Sequence, residues 1–210
     1  MNKLWLFLLV SMAVTGCATK PVDTLSVFYA HRPKSIVVVP VLNESSELTA
    51  PSVFITSISR PLAERGYYVF PVYLTDMILR DLGLVDANHI HELPPGRFYE
   101  LFGADVVLFV TIKNWSTKYI LLASTVEVEM SYKLVDTKTG LLLWESDQSY
   151  VHSSSGSSPF TVVASAAAKG LLTDYLPLAQ QTNNEAFFPP KGVPVGPYHS
   201  DYQRDQSQFQ

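Results

Sequence analysis

Two kinds of hydrophobic run limit what this chain can fold into. Ile36-Val37-Val38-Val39-Pro40 and Val106-Val107-Leu108-Phe109-Val110-Thr111-Ile112 are apolar at both parities, the pattern of a strand covered on both faces. From Thr125 the pattern changes. Val126, Val128, Met130, Tyr132 and Leu134 alternate with Thr125, Glu127, Glu129, Ser131 and Lys133, so this strand buries one face and wets the other. A sheet holding both kinds is mixed, with a parallel first half and an antiparallel hairpin in the second half.

The segments between these runs read as helices. Thr49 and Pro51 open one in which Phe54, Ile55, Ile58 and Leu62 share a face, and Arg65-Gly66 closes it. The strand Tyr67 to Pro71 follows, so strand, helix and strand form a parallel crossover. A second helix from about Tyr73 to Leu82 is expected to turn Leu74, Met77, Ile78 and Leu82 inward. A short helix spans Arg97 to Phe102. Asp136-Thr137-Lys138-Thr139-Gly140 is a tight turn into the hairpin partner Leu141 to Val151. A helix is expected from about Phe160 to Leu176, with Phe160, Val163, Ala167 and Leu171 on one face. The fold class is therefore α/β, a single three-layer-like domain whose mixed sheet is flanked by helices.

The amino terminus has a separate logic. Lys3, the apolar stretch Leu4 to Val14 and the small residues after it have the layout of an export signal, and the apolar stretch is too short to span a bilayer. It ends in Val14-Thr15-Gly16-Cys17, which looks like the lipobox of a bacterial lipoprotein, with Cys17 as lipid attachment site and new amino terminus. Cys17 is the only cysteine; thioether lipidation disposes of a thiol that would otherwise stand unpaired in an oxidising compartment. Two or three acyl chains at ~0.8 kcal/mol per buried methylene hold firmly. Ala18 stands where inner-membrane retention would want Asp, which favours the outer membrane, facing the periplasm. The expected organisation is a signal peptide over 1–16, a lipidated tether over 17–33, the α/β domain over 34–180 and a Pro-rich, flexible tail over 181–210, with Phe187 and Phe188 as docking residues within it.

Composition excludes some functions. A formal net charge of −4 argues against nucleic acid, which rewards basic patches. The strongest metal candidate is Asp86-Ala87-Asn88-His89-Ile90-His91-Glu92, where His89, His91 and Glu92 could serve a periplasmic metal-dependent hydrolase. Two histidines in a loop need a third ligand from elsewhere, so a solvated polar loop is preferred. His152 beside Ser153 to Ser158 invites a serine hydrolase reading, yet no G-x-S-x-G elbow follows a strand. Gly156-Ser157-Ser158 lacks the lysine of a P-loop. No catalytic residue, cofactor or metal is expected, and an envelope ligand-binding protein has no specific motif. The surplus is aromatic: Trp115, Tyr119, Tyr132, Trp144 and Tyr150. Trp144 and Tyr150 share the parity of Leu142 and are expected in the core. Trp115 and Tyr119 fall where the chain is expected to turn, and are the candidate interface residues.

Three stretches carry a family likeness: Leu93-Pro94-Pro95-Gly96-Arg97-Phe98-Tyr99-Glu100-Leu101-Phe102-Gly103-Ala104-Asp105, Val110-Thr111-Ile112-Lys113-Asn114-Trp115, and Lys133-Leu134-Val135-Asp136-Thr137-Lys138-Thr139-Gly140-Leu141-Leu142-Leu143-Trp144. With these the chain resembles a family of bacterial lipoproteins of unknown function that includes the neisserial genome-derived antigen lipoproteins. The family's domain is similar to the amino-terminal domain of TolB and the periplasmic domain of CsgG. The resemblance implies an envelope component with no catalytic residues, partnered by the membrane through its lipid and by other envelope lipoproteins of CsgG-like type, with homodimerisation as a further expectation. A non-enzymatic accessory or assembly subunit of an envelope transport or secretion complex is the function so implied.

Overall fold

The computed structural model describes residues 24–120, 123–155 and 176–209. Six strands form one sheet: β1 (Ser35–Val38), β2 (Leu42–Asn43), β3 (Tyr68–Val69), β4 (Val106–Ile120), β5 (Ala123–Asp136) and β6 (Leu142–Ser155). Their order is β3-β1-β4-β5-β6, with β2 pairing β4 beyond the end of β1. β1 lies parallel to β3 and β4, and β2 parallel to β4, whereas β4, β5 and β6 run antiparallel. The sheet is thus mixed α/β in a single domain, as the two hydrophobic patterns require.

Parity divides the core. Ile36, Val38, Val106, Leu108, Val110 and Ile112 face one side, under α1 (Thr24–His31), α2 (Ala50–Glu64) and the C-terminal helix. Val37, Val39 and Val107 face the other, under α3 (Val72–Asp81), α4 (Ala87–His91) and α5 (Gly96–Phe102). α2 buries Phe54, Ile58 and Leu62 at helical spacing, with Ile55 half-buried. Its start differs from the expectation: Thr49 makes no side-chain cap, and Glu47 accepts from the Thr49 amide and hydroxyl instead. The turn after β5 forms as expected, with Asp136 Oδ1 accepting from the Lys138 and Thr139 amides and Gly140 at φ +72°.

Two register shifts decide where the aromatics go. One lies between Ile112 and Asn114 in the β4–β5 pairing. An extra residue in one strand reverses which parity points inward, so Trp115 joins the face of Ile112, pairs with Val128 and is 1% exposed. β4 runs straight on to Ile120 rather than turning, which removes the reason for expecting Trp115 on the surface. The second shift, between Leu134 and Val135, pairs Leu134 with Trp144 and Val135 with Leu142. Trp144 is buried as expected, while Leu142 is exposed.

The larger difference is at the chain's two ends. The residues expected to be a flexible tail fold back: α6 (Leu176–Phe187) packs on α2 and β6. Phe187 sits 5.2 Å from the Tyr132 ring and 5.5 Å from that of Trp144, centroid to centroid. Val193 and Val195 are buried, and Trp144 Nε1 donates to the Lys191 carbonyl. The second half of the expected tether is helical too, with Phe28 in the same cluster. Prolines and polar residues concealed this, because the segment is held by hydrogen bonds to fixed groups more than by an apolar stripe. The expected helix over 160–176, together with Gly156-Ser157-Ser158, lies outside the described residues apart from its last position, Leu176, which opens α6. Truncation of Phe187 to alanine should cost about 3–5 kcal/mol, the usual range for a buried phenylalanine, read as a lower urea midpoint; an unchanged midpoint would mean that the C-terminal segment contributes nothing to the fold.

Candidate interaction surface

α3 docks by a narrow stripe. Thr75 and Leu79, one turn apart, are its buried residues. The side expected to face inward points out: Tyr73 is 75% exposed, Leu82 54%, and Leu74, Met77 and Ile78 around 40%, joined by Val85 at 59% just beyond the helix. The reason is in the composition of the helix. Apolar residues occupy almost its whole circumference, interrupted by Thr75, Asp76, Arg80 and Asp81. One face suffices to cover β1, so the rest remains outside. A helix that is apolar all round implies cover on more than one side, and that was the signal available in the sequence.

Beside this face, α2 and α3 enclose a groove of about 420 Å³ above the end of β1. Val38, Val41, Pro51, Ile55, Val72 and Tyr73 give it an apolar lining. Asp76 and Arg80 stand at its rim, their charges spent on each other at 2.7 Å. Surface without net charge next to exposed aliphatic and aromatic groups suits an apolar partner surface, and contiguous patches of this kind mark interaction sites.

The metal candidates are not brought together. Asp86 to Glu92 is not a loop: Asp86 accepts from the Asn88 amide as the N-cap of α4. Two residues along a helix are about 200° apart, so His89 is exposed while His91 turns inward. His91 Nε2 lies 2.9 Å from the Pro40 carbonyl. A carbonyl only accepts, so that nitrogen carries the proton, and the ring packs edge-on against Phe109 at 5.1 Å. Among the described residues no group of three His, Cys, Asp or Glu side chains could hold a metal ion. His152 pairs with Val126 along β6; its side chain lies outside the described residues, as does that of Tyr119. Another His–carboxylate pair, His31 Nδ1 to Asp136 Oδ2 at 2.9 Å, ties α1 to the β5–β6 turn, with Asp136 already accepting from the amides of the turn. On the wet face of the hairpin, Lys113 and Asp147 pair at 2.7 Å, leaving a groove of mixed charge. Among the described residues no helix is long and apolar enough to cross a membrane.

A mixed sheet flanked by helices, one of them apolar on its outward side, defines a small α/β domain. A family model described as "Putative lipoprotein GNA1162-like" matches residues 24–176, and the chain belongs to this family of lipoproteins. It is 34% identical over 159 residues to "Putative lipoprotein NMB1124/NMB1162" of Neisseria meningitidis, covering 75% of this chain and 74% of that one. The crystal structure of lipoprotein GNA1162 from the same species superposes with a TM-score of 0.56 at 33% identity, over 68% of this chain and all of the other. The PelC dodecamer from Paraburkholderia phytofirmans is more distant, with 14% identity and a TM-score of 0.47 over 77% of this chain and 91% of that one.

Burial holds the His91 imidazole below its ordinary value, with the Pro40 carbonyl opposing. The folded value therefore lies under the unfolded one of about 6.5. Below that pH the unfolded chain takes up a proton that the folded chain refuses, so stability is lost as the pH falls through this window. Urea midpoints at pH 7.5 and 5.5 should differ less in His91→Gln than in the parent chain; an equal difference would place the sensitivity elsewhere.

Proposed function

We propose that this lipoprotein is a non-enzymatic accessory or assembly subunit of a cell-envelope transport or secretion complex, anchored through Cys17 in the outer membrane and facing the periplasm. The observation that carries the reading is the outward apolar face of α3 with the groove beside it. The family membership supports the lipid anchor, and Ala18 after the lipobox favours the outer membrane. Anchoring confines the domain to a thin layer with other anchored proteins, so a modest interface is enough to form a complex. The partner class is another envelope lipoprotein of CsgG-like type or a second copy of this chain, seated on Tyr73, Leu74, Met77, Ile78 and Leu82. Aromatic, Met and Leu groups around a neutral rim suit such a contact.

The test is crosslinking in intact cells followed by affinity capture of the protein at native expression, for the parent chain and for Leu74→Glu with Ile78→Glu. Both side chains are partly exposed and neither belongs to the core, so the variant should still fold, with a cooperative urea transition as the check. Mass spectrometry of the captured protein should find acyl chains on Cys17 in both. The parent is expected to bring down envelope lipoproteins or a crosslinked second copy of itself, and the variant to lose them. Identical capture from both, or recovery of neither an envelope lipoprotein nor a crosslinked pair of this chain, would contradict the proposal.

A further inference from the structure

The carboxylate of Asp205 joins three segments that are far apart in sequence. Its Oδ1 accepts from the Tyr29 hydroxyl of α1 at 2.6 Å. Its Oδ2 accepts from the Val195 amide at 2.7 Å and lies 3.6 Å from Arg65 Nη2 at the end of α2. Asp205 is fully buried and the Arg65 side chain nearly so. Arg65 is further fixed by two bonds to the Val193 carbonyl, at 3.0 and 2.7 Å, and by the Phe188 and Phe209 rings over its guanidinium. The strap formed by residues 188–209 continues across the end of α2. The Gly196 and Tyr198 amides donate to the Arg65 and Gly66 carbonyls, and Tyr67 Oη donates to the Pro194 carbonyl. The approach is so close that a Cβ on Gly66 would meet the His199 amide nitrogen at 2.5 Å, and one on Gly196 the Gly66 carbonyl oxygen at 2.4 Å.

What this strap holds is α1. That helix is eight residues long, and helices shorter than about 12 residues do not persist alone in water. Its order therefore depends on its attachments, among them Phe28 and Val27 against the core, His31 on Asp136, and Tyr29 on Asp205. Two of these are single polar contacts to groups that already have other partners. α1 is also the first described element after Cys17. With α1 docked, residues 17–23 alone separate the anchor from the domain, a reach of at most ~25 Å at 3.6 Å per residue. With α1 undocked, residues 17–34 become available, a reach of up to ~65 Å.

We propose that α1 is a releasable part of the tether, and that the C-terminal strap, acting through Asp205, sets how far the domain stands from its membrane. This rests on the reading of Cys17 as the anchor. A partner that engages either the strap or α1 loosens the other, because both close on the same carboxylate, and the domain then rises from the leaflet.

The experiment uses the mature chain from Cys17 onward, coupled through that single thiol to a maleimide lipid in phosphatidylcholine vesicles, so that its outcome does not depend on lipidation in the host. Tyr29→Phe removes only the hydroxyl, and Asp205→Asn removes the charge. Hydrogen exchange by mass spectrometry reads peptides covering 24–31 and 193–209, and energy transfer from a dye on an introduced surface site to a bilayer dye reads the height of the domain. Each substitution is expected to speed exchange in both peptides by about tenfold, the scale of one charge-assisted hydrogen bond, and to lower transfer efficiency. If Asp205→Asn does not fold, Tyr29→Phe decides alone. Faster exchange confined to the mutated segment, or coupled exchange with unchanged height, would overturn the proposal. A bare Cys17 in protein from the native host would instead count against the anchor itself.

Discussion

One face of the sheet is larger than the helix that the crossover provides to cover it, and the rest of the structure depends on how that shortfall is met. α2 covers β1 and the start of β4 with Phe54, Ile58 and Leu62. The bulge at Lys113 and the alternation of β5 bring Trp115, Val128, Met130 and Tyr132 onto the same face, and Trp144 joins from β6. Aromatic surface on that scale must be removed from water at ~25 cal/mol per Å², and α6 delivers Phe187 and Ala186 to do it. Polar groups drawn in with it find partners: Asn183 accepts from the Tyr132 hydroxyl and donates to Ser57, whose hydroxyl donates to the Phe54 carbonyl. Buried polar groups at this contact are thus hydrogen-bonded, as stability demands.

The opposite face has the reverse imbalance. α3, α4 and α5 supply more apolar surface than β1, β3 and the start of β4 can bury, and the excess on α3 remains outside. Surplus on one face and shortage on the other are not independent. A short parallel half joined to long antiparallel strands leaves a sheet whose two sides need different amounts of cover, and the chain meets one need from its own C-terminus. The other is not met among the described residues. That asymmetry is the structural ground for the proposed role in assembly.

Much of the architecture was legible in the sequence, because period-two alternation and continuous apolar runs report directly on how many faces of a strand are covered. Ile36 to Val39, Val106 to Ile112 and Thr125 to Leu134 carried the sheet, and Gly66, Gly103 and Gly140 marked its punctuation. What escaped had physical causes. A single extra residue at Lys113 reverses parity, and nothing in the identity of Lys113 announces a bulge; the polar Ser116-Thr117-Lys118 reads as a turn, yet β4 continues to Ile120 and carries Trp115 into the core. The inward stripe of α3 is two residues wide, and Leu74, Met77 and Ile78 made a better stripe on paper than Thr75 and Leu79. The strap from Phe188 to Phe209 has few aliphatics because its attachment is by hydrogen bonds to Arg65, Gly66 and Tyr67, and composition alone cannot distinguish that from disorder. His89 and His91 share a helix rather than a loop, which separates them.

The dependence of the whole domain on its C-terminal cover is tested most directly by comparing the chain ending at residue 176, where the family match stops, with the complete chain in urea and by near-ultraviolet circular dichroism. The account predicts that the shortened chain lacks a cooperative transition and the fixed aromatic signal of Trp115, Tyr132 and Trp144. A sharp transition at the same urea concentration, with that signal intact, would contradict it.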